Sequence, residues 1–202
     1  MRNKVDKIWY ASYGSNLLKK RFSCYIAGGT PAGAQREYAG CTDKSLPEAN
    51  KPITINAELY FARKSKTWHG GGVAFIKPKF NSDAKTLGKM HLITSDQFAE
   101  VVKQEIRLEE DLVIDLETLE KRGSLLLNES SWYNQLLFLG REDGYPIFTF
   151  TNKDYLKEEL NPPHETYLNT ISAGLKETYG MKDVEIENYW KSKNGIKKDA
   201  EG

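Results

Sequence analysis

The chain has 202 residues, 39% of them hydrophobic and 28% charged, a balance that fits a soluble globular protein with one substantial core. A formal net charge of +1 gives no global field favouring nucleic acid or an anionic membrane, and no apolar run approaches the roughly 18–20 residues of a membrane span. Two cysteines, Cys24 and Cys41, make neither a disulfide framework nor a zinc site and agree best with a reduced, cytoplasmic setting.

The start, MRNKVDKIWYA, is charged and lacks the apolar stretch and cleavage site of a signal peptide. A strand is predicted over Ile8–Tyr13, broken by Gly14-Ser15-Asn16 and followed by the helix-forming Leu17–Arg21. Residues 28–52, rich in glycine and proline, read as a long loop or an irregular crossing. Alternation predicts one strand over Ile53–Ala62, then strands at Val73–Ile76 and Lys89–Ile93. Leu112–Ile114 and Leu125–Leu127 read as strand or short helix, and Leu136–Leu139 and Tyr145–Phe150 as strands joined through Gly140–Gly144. Helices are predicted at Asp154–Leu160, Thr166–Tyr179 and Val184–Lys193. Strands before helices imply one α+β unit over residues 1–193, with a closed or half-closed sheet and a polar, frayed tail over 194–202.

Two stretches carry chemistry. At Gly14-Ser15-Asn16 the glycine permits a sharp turn and close approach to the backbone, while Ser15 and Asn16 are good N-cap residues. The first amides of a helix starting near Leu17 form a ready site for a carboxylate or a developing oxyanion. An ordinary capped strand-to-helix turn fits the same residues. A nucleophilic Ser15 would lack the G-x-S-x-G elbow, and nothing marks His69, His91 or His164 as its base.

The second stretch is ITSDQFAEVVKQEIRL, residues 93–108. Thr94 and Gln97 form a capping-box signature, and Phe98, Val101 and Val102 mark an apolar stripe. Glu105 falls on that stripe, seven residues after Phe98. Burial there would raise its pKa and suit it to general acid–base work near neutrality. Alternatively the helix ends near Glu105, and the side chain turns to water or pairs with Arg107.

Together these stretches resemble the γ-glutamylcyclotransferase family. Its signature loop stands here as Tyr13-Gly14-Ser15-Asn16-Leu17, and Gln104-Glu105 occupies the place of its glutamine and catalytic glutamate. TWHGG, Thr67–Gly71, and NPPHETYLNTISAGLKETYG, Asn161–Gly180, are similar to segments of the animal enzymes, with Tyr167 as the matching tyrosine. The likeness runs from about Ile8 to about Gly180. It departs after Glu105, where relatives often carry glycine and tyrosine but this chain reads IRLEEDLVIDLE, and Lys44–Pro52 and the tail after Met181 have no counterpart.

The resemblance implies a γ-glutamylcyclotransferase-like fold, a small mixed β-barrel or curved sheet with flanking helices. It implies an enzyme, in the transferase, acyltransferase or lyase class, that releases 5-oxoproline from a γ-glutamyl amino acid, peptide or amine. The substrate's own α-amine attacks its γ-carbonyl, Glu105 moves the proton, and no cofactor or metal takes part. Tyr13, Gly14, Ser15, Asn16, Leu17 and Tyr167 would bind the substrate. The expected partner is that small molecule, with neither nucleic acid nor membrane, and a homodimer stays open. The rivals are the same fold on another γ-glutamyl-amine metabolite, a non-catalytic small-molecule binder, and a hydrolase built on Ser15. His69 and its glycines read either as a turn or as a pocket edge.

Overall fold

The computed structural model describes residues 6–31, 37–127 and 130–196. Its centre is β1 (Lys7–Ser12), lying between β5 (Thr86–Thr94), antiparallel to it, and β8 (Tyr145–Thr151), parallel to it. Outside these lie β2 (Ala49–Ile55) against β5, and β7 (Gln135–Glu142) then β6 (Ser124–Leu126) beyond β8. The result is a six-stranded mixed sheet, accompanied by a two-stranded ribbon of β3 (Leu59–Ala62) and β4 (Val73–Ile76). β1 is buried from Ile8 onward because both its faces and both its edges are covered, so its sequence shows a continuous apolar run and no alternation.

Among the described residues, five helices flank the strands: α1 (Lys19–Ala27), α2 (Ser95–Ile106), α3 (Leu116–Arg122), α4 (Glu165–Tyr179) and α5 (Asp183–Lys191). The start of α2 is the predicted capping box: Thr94 Oγ1 accepts from Gln97 N at 3.1 Å, and Gln97 Oε1 accepts from Thr94 N at 3.1 Å. Phe98, Val101 and Val102 are buried on its inner face. The helix stops at Ile106 because Arg107 adopts a left-handed conformation, φ 56°, the usual helix-ending geometry but without the usual glycine.

Several expectations need correcting. The alternation over Ile53–Ala62 spans two strands. Ala57 N donates to Ile55 O at 2.9 Å and Ala57 O accepts from Thr86 Oγ1 at 2.6 Å, turning the chain from the large sheet to the ribbon. Asp154–Leu160 is not a helix; only a single 3-10 turn forms at Lys157–Glu159. Backbone pairing of Arg63 N with Glu159 O and a bridge from Leu160 to Ala62 take that segment. Leu112–Ile114 lies outside any element, whereas α3 begins just beyond it, capped by Asp115 through Thr118 N at 3.0 Å. Asn194 is not frayed: its carbonyl accepts from Phe61 N at 3.1 Å, while 197–202 and the first five residues lie outside the described residues. Both cysteines are free, Cys41 buried and Cys24 half-buried. Among the described residues, no helix is long and apolar enough to cross a membrane, and no group of three His, Cys, Asp or Glu side chains is placed to hold a metal.

Candidate functional site

The turn after β1 is shorter than its sequence suggests. Ser15–Leu17 form one 3-10 turn with Gly14 in the N-cap position, and α1 starts separately at Lys19 with the extended Leu18 before it. Neither Ser15 nor Asn16 caps α1, so the expected helix N-terminus is not the binding element here. The turn is fixed by packing. Leu17 is fully buried, and α4 approaches it so closely that a Cβ on Gly174 would lie 2.6 Å from Leu17 Cβ and 2.7 Å from the Leu17 carbonyl carbon. A Cβ on Gly14 would lie 3.0 Å from the Tyr167 hydroxyl.

Buried His91, on β5, holds the turn from the other side, its Nε2 lying 3.1 Å from Asn16 O and its Nδ1 2.6 Å from the Asn50 side chain. A neutral ring satisfies both if Nε2 carries the proton and the Asn50 amide is oriented to donate. Burial, assisted by Lys89, lowers the His91 pKa to about 3, against the opposing bond to Asn16.

Beside the turn lies a cavity of about 420 Å³, walled by α1, the last turn of α2, the first turn of α4, segment 64–68 and segment 130–133. A recess of about 40 Å³ opens next to it, lined by Tyr10, Tyr13, Gly14, Ser15 and Asn16. Ser15, Tyr25, Glu105, Tyr133 and Tyr167 line both spaces. The recess has room for a small polar group such as an amine.

Glu105 is half-buried at this junction and accepts a hydrogen bond from the Tyr25 hydroxyl. Gln104, its neighbour, donates to Tyr25 O at 2.9 Å, so the pair grips α1 from two sides. Among the described residues Glu105 makes no ion pair with Arg107; it is the one carboxyl group lining the cavity, and no histidine lines it.

The tyrosines are held as hydroxyls. Burial is the main cause that pushes Tyr13, Tyr25, Tyr133 and Tyr167 above the usual phenol range, with Glu105 adding to the shift at the last three. They can donate hydrogen bonds at neutral pH but do not serve as bases. Tyr133 Oη donates to Ala74 O at 2.9 Å, and Tyr167 Oη accepts from Ala74 N at 3.1 Å. The Ser15 backbone is a further polar neighbour of the Tyr167 hydroxyl and, like the Ala74 backbone, opposes the upward shift.

Of the residues singled out in the sequence, Gly14, Ser15, Asn16, Glu105 and Tyr167 meet around the recess. Tyr13 lines it too, but its hydroxyl is committed to Phe150 O at 2.6 Å. Leu17 lines neither space and serves as the packing anchor of the turn. His69 sits outside the cavity, exposed in a left-handed turn at φ 52°, while Thr67 and the buried Trp68 do line it. Arg21, Tyr25, Tyr38, Trp132 and Tyr133 are cavity residues not singled out in the sequence. Only Tyr25 left a local signal, three after Phe22 on the buried face of α1.

No family model matches the sequence. An Arabidopsis thaliana protein named histone deacetylase 5 is 38% identical over 203 residues, which takes in 92% of this chain and 30% of that protein. The chain therefore spans under a third of the length of the curated relative it matches. Among solved structures, a gamma-glutamyl cyclotransferase superposes with a TM-score of 0.52 at 18% identity, over 98% of this chain and 92% of its own. An uncharacterized Homo sapiens protein gives the same figures. These likenesses show the fold: the chain has the α+β gamma-glutamyl cyclotransferase fold, with a curved mixed sheet and flanking helices.

Proposed function

We propose that the chain is a cyclotransferase that converts a γ-glutamyl amino acid, peptide or amine to 5-oxoproline and a free amine. One observation carries this reading: Glu105, the single carboxyl group on the cavity wall among the described residues, stands where the cavity meets the recess walled by Gly14-Ser15-Asn16.

In this reading the substrate's α-amino group enters the recess. Asn16 Oδ1, buried and without a hydrogen-bond partner, and the Glu105 carboxylate are acceptors that suit an ammonium. Glu105 removes a proton, the amine attacks the γ-carbonyl to close a five-membered ring, and the same carboxyl group returns the proton to the leaving nitrogen. The nucleophile belongs to the substrate, so no covalent enzyme intermediate is needed. Folding the chain for attack recovers part of the advantage of an intramolecular reaction, about 7–11 kcal/mol in favourable cases. Tyr25 steadies Glu105 through its hydroxyl, and the turn supplies a rigid wall in place of the helix terminus expected from sequence.

The test is 5-oxoproline release from a panel of γ-glutamyl amino acids, γ-glutamyl amines and glutathione, with Glu105→Gln alongside. Product from the parent protein and none from the variant supports the reaction and identifies the leaving group. A folded protein that makes no product from any member removes the enzymatic reading and leaves a small-molecule binder.

A further inference from the structure

Arg21 is the most unusual charged residue of the cavity. It is 4% exposed and lies among three aromatic rings, its guanidinium carbon 4.7 Å from the Tyr38 ring centre, 5.5 Å from Tyr25 and 5.6 Å from Trp68. Nη2 donates to the Tyr38 hydroxyl at 2.6 Å. Nε and Nη1 are buried and have no hydrogen-bond partner, and among the described residues no carboxylate lies within ion-pair distance of the group. Stacking on aromatic faces orients a guanidinium, but it leaves the N–H donors unmatched, and unmatched buried donors on a charge are costly. The protein retains the charge nonetheless: burial opposes it, and Tyr25, Tyr38 and Glu105 together outweigh burial and raise its pKa. Among the described residues, Lys64, Lys66 and Arg107 also line the cavity, against Glu105 as its one carboxyl group.

We propose that Arg21 is the carboxylate-recognition residue of this cavity, its unpartnered Nε and Nη1 donors completed by a carboxylate of the bound ligand. This rests on the γ-glutamyl reading only for the choice of ligand; the unmatched donors are a property of the cavity itself. Arg21 touches ligand in this account but takes no part in proton transfer.

The experiment measures equilibrium binding by calorimetry in the Glu105→Gln form, so that no ligand is consumed. Three ligands are compared: γ-glutamylglycine, the same compound with both carboxylates converted to carboxamides, and glutarate. The free acid is expected to bind more tightly than its diamide. Arg21→Met should shrink that preference by about 30-fold or more, and Arg21→Lys by less, because charge is kept and the fork is lost. Thermal unfolding without ligand separates binding from structure. Removing a buried, half-satisfied charge from an aromatic cage should leave the melting temperature unchanged or raise it, whereas a structural arginine would lower it.

An acid-over-amide preference unchanged in Arg21→Met overturns the proposal, and so does failure of both glutarate and γ-glutamylglycine to bind. If a variant melts early, the Lys form at a temperature where it is folded supplies the same comparison. Glutarate binding that depends on Arg21, with no binding of γ-glutamylglycine, keeps the carboxylate site and removes the γ-glutamyl reading.

Discussion

The two ends of the cavity are built differently. The inner end is carried by regular elements: the turn leaving β1, the buried face of α1, the last turn of α2 and the first turn of α4. Its groups are tied to that scaffold, Tyr167 and Tyr133 each by one hydrogen bond to Ala74 and Asn16 by bonds to both Tyr10 and His91. The mouth is made by segments 64–68, 106–107 and 130–132, where Lys64, Lys66 and Arg107 are exposed. Three of the four described non-glycine residues with positive φ, Arg63, His69 and Arg107, belong to or adjoin these segments. On the proposed function, the groups that need precise placement sit on rigid scaffold, and those that would meet the ligand first sit on loops.

If the inner end is a rigid unit, the largest effect should come from protonating its hidden support. His91 has a depressed pKa of about 3 in the folded protein against about 6.5 unfolded. Its contribution to stability is therefore complete above pH 6.5 and is lost as pH falls toward 3, because the unfolded chain binds the proton first. At about 1.4 kcal/mol per pH unit, the parent should lose about 2–3 kcal/mol between pH 7 and pH 4.5 beyond what His91→Asn loses. Urea unfolding at several pH values measures this. Parallel pH curves for the two proteins would place His91 outside the support of the turn.

Next in size is Glu105→Gln, which keeps the shape of the site and its packing on α1 but removes the proposed base. A loss of about 100-fold or more in 5-oxoproline turnover is expected, with the melting temperature within a few degrees of the parent. Substantial turnover in this variant would assign the proton transfer elsewhere. The rigid inner end would then be scaffolding alone.

Legibility in the sequence follows the same division. The turn and the capping box were readable because their signals are local: a glycine next to serine and asparagine, and a threonine three residues before a glutamine. Glu105 was readable from the stripe that starts at Phe98. The partners that give the site its character were not. Arg21 and Tyr25 come from α1, Tyr133 from a segment more than a hundred residues later, and only the tertiary fold brings them together. The same cause explains the errors in the elements. Asp154–Leu160 has helical composition, but Arg63 and Ala62 draw it into extended pairing. α3 is hard to read from the sequence although Asp115 and Gly123 mark its two ends, since the acidic run before it obscures the start. The N-cap reading of Ser15 and Asn16 failed because Leu17 is pulled into the core against Gly174, separating the turn from α1.

At the mouth the expected effects are smaller and different in kind. Lys64→Gln with Lys66→Gln removes two exposed charges and leaves the inner end untouched. The combined variant should lower kcat/KM for a dicarboxylate substrate by only several-fold, with kcat nearly unchanged, since exposed charges mainly steer an anionic ligand. Raising ionic strength from 0.05 M to 0.3 M should slow the parent toward the variant. A fall in kcat instead would place the lysines in the chemical step and blur the distinction between the two ends.

Ser15→Ala should have the smallest effect, and it tests the boundary itself, because Ser15 lines both spaces. Its backbone lies beside the Tyr167 hydroxyl, and alanine preserves that backbone. Removal of Oγ is therefore expected to change kcat by less than about threefold, in line with the loss of at most one weak hydrogen bond. A hydrolase built on a Ser15 nucleophile predicts the opposite, because no other atom of the chain could replace Oγ. Turnover abolished in a folded Ser15→Ala protein, while Glu105→Gln retains activity, would reverse the roles of the two residues. Near-normal turnover confines Ser15 to the wall and leaves the proposed role of Glu105 intact.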